Sequence, residues 1–264
     1  MKSSAVLAPP VAVFVFATAV SWLVPRATAQ VPTSILNEDP ATTTAPAISD
    51  PLEGINRAIF AFNDGFYRVA WRPLSQGYTK VVPQPVRRGI GNFFRNLAYP
   101  TRLVGNLLSG QGRNALKETG RFLVNTLGGI GGFEAPADDI PELSVAETDL
   151  GLAFASWGAG HGTYIVLPIM GPSSLRDGIG DAISGIFLAP SQYLPEWEYR
   201  ATSAGVDPVN RSPEAMRNYD TLKGAAVDPY VSLRDAFSAR RAEQKRQQTA
   251  PRPTEATPPQ GTKS

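Results

Sequence analysis

Hydrophobic and polar positions alternate with a helical period along the segment that runs from Asp50 to about Val69. Its apolar residues recur at spacings of three and four, which places them on one stripe of a helix. Asp50 is suited to cap this helix, Pro51 suits its first turn, and Glu53 completes an acidic capping box. A stripe of this kind ordinarily packs into a core. It consists of Leu52, Ile55, Ile59, Phe62, Phe66 and Val69.

The same period continues through most of the chain and predicts further helices. Breaks are expected at residues 71–73 and at the glycine-rich stretch 128–132. Residues 164–168 are the single strand-like patch, and it is too short to found a sheet. The pattern therefore predicts an all-α fold. The further predicted helices span residues 86–99, 100–108, 114–127, 144–157, 212–224 and 230–246.

The two ends of the chain differ in composition from its middle. Residues 1–29 are typical of a cleaved secretory signal with a small-x-small site at 27–29, and a membrane anchor is the alternative. Residues 30–49 predict a flexible leader. Residues 247–264, rich in Pro, Thr and Gln, predict a disordered tail. The expected folded part is a single helical domain over residues 50–246.

After residue 29 the sequence has no run of about 18 uninterrupted apolar residues, so it predicts no conventional transmembrane helix. Several of the predicted helices nevertheless carry strong apolar stripes. The pattern alone leaves open whether these stripes pack on one another or face lipid.

Charge and composition exclude several kinds of chemistry. The formal net charge is +2, and Lys2 and Arg26 lie in the predicted signal, so 23 basic and 23 acidic residues remain. That balance argues against a nucleic-acid binder. The chain has no cysteine and one histidine, His161, so thiolate chemistry and histidine-rich metal sites are not expected. The basic pairs at 240–241 and 245–246 are typical of a solvated face that could touch anionic lipid or a partner.

No catalytic constellation is found in the sequence. Glycines at 158, 160 and 162 form a GxGxG string, but no strand precedes it, so a dinucleotide site is not predicted. The GPSS segment at 171–174 lacks the context of a serine nucleophile. Instead, Ser173 or Ser174 is expected to cap a helix from Leu175 to about Leu188. The sequence therefore predicts neither an enzyme nor a bound cofactor or metal.

Four separated blocks resemble the MlaA/VacJ family: DP-x-E-x-x-NR at 50–57, NFF at 92–94, RF-x-x-NT-x-x-G-x-GG at 121–132 and LP-x-x-GPS-x-x-RD at 167–177. A DPY at 228–230 matches as well. The resemblance covers roughly residues 50–235. Its motif residues include Asp50, Pro51, Glu53, Asn56, Arg57, Asn92, Phe93, Arg121, Asn125, Pro168, Gly171 and Arg176.

The resemblance implies a ring-shaped helical protein of the outer membrane with a central amphipathic channel. Such a protein takes misplaced phospholipid from the outer leaflet and passes it to a soluble periplasmic carrier similar to MlaC, and it often associates with trimeric porins. Many members carry a lipid on a cysteine after the signal, and this chain has no cysteine. The resemblance thus implies attachment to the membrane by other means.

A lipid path needs an apolar wall for the acyl chains and a polar side for the headgroup, and the helix from residue 175 to 188 offers both. The residues expected on this path are Asp177, Ile179, Asp181, Ile183, Ser184 and Phe187. Glycine-rich turns are natural places for a hinge that gates the path. The expected hinge residues are Gly128, Gly129, Gly131, Gly132, Gly158, Gly160 and Gly162.

Two other functions remain open on the sequence. The first is a soluble periplasmic scaffold, in which the apolar stripes form an ordinary core. The second is an envelope hydrolase. Recovery from the soluble periplasm would favour the scaffold, and turnover of phospholipid by the pure protein would favour the hydrolase.

Overall fold

A computed structural model describes residues 48–189 and 197–249, with side chains described from residue 205 in the second range. Its elements are mostly helical, as the sequence predicts. In chain order they are α1 (Glu53–Phe66), a π-helical segment (Tyr67–Trp71), α2 (Arg72–Val81), α3 (Gln84–Leu97), α4 (Tyr99–Leu108), α5 (Gly112–Gly128), 3₁₀ turns at Pro136–Asp139 and Pro141–Leu143, α6 (Leu150–Ser156), β1 (Tyr164–Leu167), β2 (Gly171–Ser174), α7 (Leu175–Ile183), a π-helical segment (Ser184–Leu188), α8 (Trp197–Ala225) and α9 (Pro229–Thr249).

The strand-like patch at 164–168 does found a small sheet, contrary to the prediction. β1 pairs with β2 as an antiparallel hairpin in which Tyr164 lies opposite Ser174 and Leu167 lies opposite Gly171. The GPSS segment is therefore a strand, because the turn before it lets Gly171 adopt a φ of +85°. The sequence concealed this strand since it contains a proline and no alternating apolar pattern.

Side chains of α1 hydrogen-bond along the free edge of β1, where a third strand would lie. The amide of Asn56 donates to the carbonyl of Tyr164 at 3.0 Å and accepts from the N–H of Val166 at 2.9 Å. The amide of Asn63 likewise donates to the carbonyl of Leu167 and accepts from the N–H of Ile169. Each amide thus satisfies a donor and an acceptor that an edge strand would otherwise leave unpaired.

The start of α1 differs from the predicted capping box. Leu52 occupies the N-cap position and no side chain caps the helix. The carboxylate of Asp50 instead accepts hydrogen bonds from the amide of Asn56 at 2.8 Å and from the hydroxyl of Tyr230. Glu53 pairs with Arg57 at 2.7 Å, one turn along. Long-range partners therefore override the local capping signal.

The predicted break at residues 71–73 does not occur. The helix continues from α1 into α2 through a π turn, in which the N–H of Arg72 bonds to the carbonyl of Tyr67. A π turn shifts the bonding register, and Pro73 lies in the first turn of α2, where a missing N–H is tolerated.

Other boundaries also move. The predicted helix at 144–157 is reduced to α6, which begins after Asp149 because that carboxylate caps it by accepting from the N–H of Leu152 at 2.8 Å. The predicted helix at 212–224 is the second half of the longer α8, which carries Pro208 and Pro213 inside it. The predicted helix from 175 to 188 is α7 followed by a π-helical segment.

Both ends of the folded part extend beyond the predicted limits. Ile48 packs against the small apolar core, and the carbonyl of Ser49 accepts from the N–H of Tyr164 at 2.9 Å. The last two residues of the predicted leader therefore belong to the fold. The last helix continues to Thr249, three residues into the predicted tail. The predicted signal, the leader up to residue 47 and the tail from residue 250 lie outside the described residues.

The orientation of the helices inverts the usual arrangement of apolar and polar faces. On α1 and the π-helical segment after it, Asn56 and Asn63 are 1% and 3% exposed, whereas Ile55, Phe62 and Val69 are 60%, 57% and 80% exposed. The interpretation of this stripe as core packing holds for Ile59 and was wrong for Leu52, Ile55, Phe62 and Val69, because periodicity identifies an apolar face without saying what it meets. Only a small apolar core remains in the described residues, formed by Tyr164, Val166, Tyr230 and Phe237 with Ile48, Ile59, Phe60 and Val231 around it.

Candidate functional site

The helices and the hairpin enclose a cavity of about 880 Å³. Residues from α3, α4, α5, α7, α8 and α9 form its walls, together with the segment before α6 and the hairpin. Its lining is dominated by charged and amide side chains. The charged residues that line it are Arg87, Arg88, Arg95, Arg102, Arg121, Arg211, Arg217, Arg240, Arg241, Glu118, Asp138, Glu147, Asp149, Asp177, Asp181 and Glu214.

Polar or small residues recur every seven positions on the faces that point inward. Seven residues are just under two helical turns, so the members of each pair lie above one another on one face. The pairs are Asn56 and Asn63 on α1, Gly89 and Asn96 on α3, Glu118 and Asn125 on α5, Asp177 and Ser184 on α7 and its π segment, and Asn210 and Arg217 on α8. This spacing is visible in the sequence and is the signal that sequence reasoning missed.

One side of the cavity is closed by ion pairs. The guanidinium of Arg102 donates to the carboxylate of Glu118 at 2.8 Å, and Glu118 is 2% exposed. Asp138 accepts from Arg95 at 2.6 Å and also from Arg121. Burial works against the charge of Asp138, but the two arginines outweigh it and lower its pKa. These arginines are therefore occupied in holding α3, α4 and α5 together.

A second buried network ties α9 to α6 and α7. The Arg241 guanidinium, 5% exposed, contacts Asp149 at 2.7 Å and Asp177 at 2.7 Å. Arg176 adds a further ion pair to Asp177 at 2.8 Å. Burial opposes the ionisation of Asp177, yet Arg241 and Arg176 lower its pKa overall. Arg241 was predicted on a solvated face, and its burial corrects that prediction, because its partners lie 64 and 92 positions away in the sequence.

His161 lies beside this network and contacts Arg176 and Phe237. Its Nδ1 is 3.3 Å from the guanidinium of Arg176, and its ring meets Phe237 edge-on. Burial lowers the pKa of His161, and the charge of Arg176 lowers it further, so the imidazole is neutral at pH 7.

Ser174 is the residue that caps α7, and its hydroxyl accepts a hydrogen bond from the N–H of Asp177. Of the two serines predicted as possible caps, this is the second. Within the described ranges, no three His, Asp or Glu side chains are arranged to hold a metal ion.

The outer surface is rich in large apolar side chains. Twenty-one large hydrophobic residues are exposed in the described part of the chain, whereas seven are buried. The exposed set includes Val86 and Phe93 on α3, Leu107 and Leu108 on α4, Leu116, Leu123 and Leu127 on α5, and Leu175 and Ile179 on α7. A surface of this kind marks an interface with lipid or protein. None of the helices within residues 48–189 and 197–249 combines the length and hydropathy that a membrane crossing requires.

The residues predicted to border a lipid path are divided between these two faces. Asp177, Asp181 and Ser184 line the cavity. Ile179 and Phe187 are 48% and 62% exposed on the outer surface and do not line it. Ile183 is partly buried and also lies outside the lining. The polar side of α7 therefore faces the lumen, and its apolar side faces outward.

The two predicted hinges have different surroundings. In the first, Gly129 is buried so closely that an added Cβ would overlap the carbonyls of Asn125 and Glu134, and Gly132, at a φ of +96°, packs against Asn96. Gly128 and Gly131 are exposed. In the second, all three glycines are exposed, with Gly158 and Gly162 at positive φ and Gly160 in open space. The first turn is thus fixed by packing, while the second has more room.

Several family-motif residues from distant blocks meet in the structure. Arg57 pairs with Asp228 at 2.9 Å and lies over the ring of Tyr230 at 4.4 Å. Since Asp50 also binds Tyr230, the first motif and the late DPY form one clasp. The same motif supplies Pro51, which is exposed at the approach to α1.

The middle blocks hold the chain that follows α5. Asn92 donates to the carbonyl of Phe133 at 3.2 Å, and Asn125 accepts from the N–H of Ala137 at 2.9 Å. Arg121 donates to the carbonyls of Ala137 and Leu143. Phe93, by contrast, is exposed on the outer surface, and Pro168 is exposed in the turn between the strands.

These features define a class of protein: a helical body with a polar, charged lumen and an apolar exterior. Comparisons with known proteins are more specific. The family model described as MlaA lipoprotein matches residues 48–244. The chain belongs to the MlaA family.

Named relatives agree with this assignment. The chain is 32% identical over 197 residues to the intermembrane phospholipid transport system lipoprotein MlaA of Escherichia coli, covering 73% of this chain and 76% of that protein. It is 29% identical over 191 residues to the protein of the same name from Haemophilus influenzae, covering 72% and 76%. It is also similar, with a TM-score of 0.65 and 31% identity, to a solved structure described as the structural basis for maintenance of bacterial outer membrane lipid asymmetry, over 75% of this chain and 99% of that one.

Proposed function

We propose that this protein is the outer-membrane component of a phospholipid transport system. It removes misplaced phospholipid from the outer leaflet, guides it through the cavity, and passes it to a soluble periplasmic carrier similar to MlaC. The names of its relatives and of the similar solved structure support this function. It performs no chemical step on the lipid, and shape and amphiphilicity do the work.

The observation that carries the proposal is the inverted polarity of the fold. Exposing a large hydrophobic side chain to water forgoes about 1.5–3 kcal/mol relative to burying it, so an exterior with twenty-one such residues is costly in water. The same exterior is favourable against acyl chains. The polar cavity, at about 880 Å³, has in turn the volume of a small-molecule site and the side chains to solvate a headgroup.

Attachment to the membrane follows from the same exterior. We infer that the exposed apolar faces of α1, α3, α4 and α5 lie in the outer membrane and that part of this surface is open to contact with a trimeric porin. Residues 1–29 act as a cleaved secretory signal in this proposal, and the mature protein carries no acyl chain. High salt should leave the protein in the membrane fraction and detergent should release it, because apolar burial is not screened by ions.

Gly91 provides a test of the lumen. It lines the cavity, and an added Cβ would lie 3.5 Å from the amide nitrogen of Asn210, which is an ordinary contact. Gly91→Trp places an indole at the lumen wall, and Gly91→Ala is the matched control, which stabilises a helix by about 0.5–1 kcal/mol. The expected result is loss of function in the tryptophan variant and normal function in the alanine variant.

Function is measured in cells that lack the chromosomal gene. Outer-leaflet phospholipid is quantified by surface labelling, and sensitivity to detergent is scored beside it. Both variants must be present in the membrane at equal amounts. Normal lipid asymmetry with Gly91→Trp would contradict passage through this cavity. Release of the wild type by salt alone would favour the soluble scaffold, and lipid breakdown by the pure protein would favour the hydrolase.

A further inference from the structure

The arginines of the cavity fall into two groups. Arg95, Arg102, Arg121, Arg211 and Arg241 each form an ion pair with a carboxylate. The other four, Arg87, Arg88, Arg217 and Arg240, have no ion pair with any carboxylate of the described residues, and we term them the open arginines. The lining as a whole holds nine arginines against seven carboxylates. Its positive excess is therefore carried by the open arginines.

The open arginines lie on neighbouring elements. Arg87 and Arg88 are on α3, Arg217 is on α8 and Arg240 is on α9, and α8 packs against both of the other helices. Asn210 fixes α8 to α3 by donating to the carbonyl of Arg87 at 3.0 Å. Because Arg217 follows Asn210 by seven residues, it lies on the same inward face. One wall of the cavity is thus positive, whereas the arginines of α4 and α5 are neutralised by their own ion pairs.

One open arginine has a buried donor without an acceptor, and a second is partly buried beside another arginine. The Nε of Arg87 is buried and has no hydrogen-bond acceptor. Arg240 opens into the cavity on one side, yet protein surrounds it closely enough that desolvation, and next the charge of Arg241, lower its pKa. Among the carboxylates, Glu147 raises the pKa of Arg240 most, without forming an ion pair with it. A buried donor without an acceptor is costly, and an anion supplies what is missing.

Arginine is also the cation whose shape suits phosphate. Its planar guanidinium presents a fork of N–H donors that binds two phosphate oxygens at once, and it is less strongly hydrated than an ammonium. All nine cations of the lining are arginines, although the chain also has six lysines. If the lumen needed only polar side chains, lysines would serve as well as arginines.

We propose that the wall formed by Arg87, Arg217 and Arg240 binds the phosphodiester of a lipid headgroup and holds it while the acyl chains extend away from the lumen. The proposal rests on the proposed function and adds a site and a ligand chemistry to it. Glu214, one turn before Arg217 on the same face, limits the positive charge of this wall. Removing that carboxylate should strengthen binding, and removing the arginines should weaken it.

The test uses the full exported chain held in a surfactant polymer without free micelles. Three probes are titrated by calorimetry: dihexanoylphosphatidylglycerol, its deacylated headgroup glycerophosphoglycerol, and inorganic phosphate. The wild type should bind the lipid probe, and Arg87→Gln/Arg217→Gln should bind it at least about tenfold more weakly, since hydrogen bonds to charged groups are each worth that factor or more. Glu214→Gln should bind it more tightly than the wild type does, because the carboxylate that limits the positive charge of this wall is gone.

The matched control is Lys80→Gln/Arg246→Gln, which removes the same charge from two exposed positions outside the cavity. Its affinity should equal that of the wild type. Helix content by circular dichroism establishes folding. If the double arginine variant does not fold, Arg217→Gln and Glu214→Gln decide the question, because their effects must have opposite signs. Unchanged affinity in the arginine variants overturns the proposal.

Three further outcomes separate the sources of the ligand and the two proposals. Inorganic phosphate that binds as tightly as the lipid probe and displaces it would overturn the assignment to a lipid headgroup. Arginine-dependent binding of the lipid together with normal lipid asymmetry in Gly91→Trp cells would leave this site standing and overturn passage through the cavity. Loss of asymmetry in Gly91→Trp cells, together with lipid binding that does not depend on the arginines, would support passage through the cavity and overturn the arginine site.

Discussion

The hydrogen bonds that join α1 to the hairpin offer a quantitative test of how this fold is held. Asn56 is 1% exposed and makes three hydrogen bonds. Its amide donates to the carbonyl of Tyr164 at 3.0 Å and to the carboxylate of Asp50 at 2.8 Å, and its oxygen accepts from the N–H of Val166 at 2.9 Å. Asn56→Leu keeps the approximate volume of the side chain and removes all three bonds.

The expected loss is dominated by the backbone groups that remain. A buried N–H left without an acceptor costs about 1–3 kcal/mol, and the orphaned carbonyl of Tyr164 adds to it. A total of about 3 kcal/mol corresponds to a lowering of the melting midpoint by about 6–12 °C in a domain of this size. Asn63→Leu breaks two hydrogen bonds rather than three and should lower the midpoint by less.

Thermal unfolding of the detergent-solubilised protein, followed by circular dichroism, measures this shift. Gln76→Leu on α2 is the control, because Gln76 is exposed and its substitution adds the same side chain without breaking a buried bond. If Asn56→Leu melts within about 1 °C of that control, the amides do not hold the hairpin, and the energetic reasoning fails.

Asn56→Asp adds a dependence on pH that separates electrostatics from shape. The new carboxyl would face the carboxylate of Asp50 and the carbonyl of Tyr164, so its pKa in the folded state is raised above the unfolded value near 3.9. A raised carboxyl pKa contributes stability at low pH that is lost as the pH rises above the unfolded value. The Asp variant should therefore approach the wild type in stability near pH 4 and fall furthest below it at pH 7.

Three other predictions follow from the buried contacts. Arg241→Met leaves the buried carboxylate of Asp177 and the partly buried carboxylate of Asp149 without their shared cation and should cost about 3–5 kcal/mol by denaturant unfolding, whereas Arg246→Met at an exposed site should cost little. Gly89→Ala should destabilise by about 1–3 kcal/mol, because its Cβ would overlap an aromatic ring, and Gly54→Ala, in open space, should not. Since the pKa of Asp177 is depressed, its contribution to stability is present above pH 4 and should disappear as the pH falls below that value, as an acid titration of unfolding will show.

Local signals in the sequence predicted the local structure of this chain well. The period of the apolar residues located the helices, and Ser174 caps α7 as one of the two predicted serines. The predictions from the sequence failed in two ways. At Asp50, a strong local capping signal gave way to partners 6 and 180 positions away. At 171–174, a strand formed because its partner strand and a positive-φ glycine were supplied by the fold.

The site was harder to predict because its residues are assembled from distant segments. The cavity draws single side chains from elements between α3 and α9, and no run of neighbours in the sequence reveals which of them converge. Asp177, Asp181 and Ser184 were placed on the polar side of a path and do line the cavity. The basic pair at 240–241 was interpreted as solvent-facing, since a charge far from its partner in sequence looks the same whether it is buried or exposed.

Polar contacts inside and apolar faces outside have a common consequence for the energetics of this fold. With few large apolar residues buried in the described segments, the hydrophobic effect in water contributes little to the packing of one helix on another. Directional bonds must then fix their relative positions, which explains why amides, ion pairs and close glycine contacts recur at the inner faces. Such bonds hold the helices at their edges and leave the centre open, whereas apolar packing would close it. The inverted polarity therefore accounts for both the outer surface and the persistence of a polar lumen.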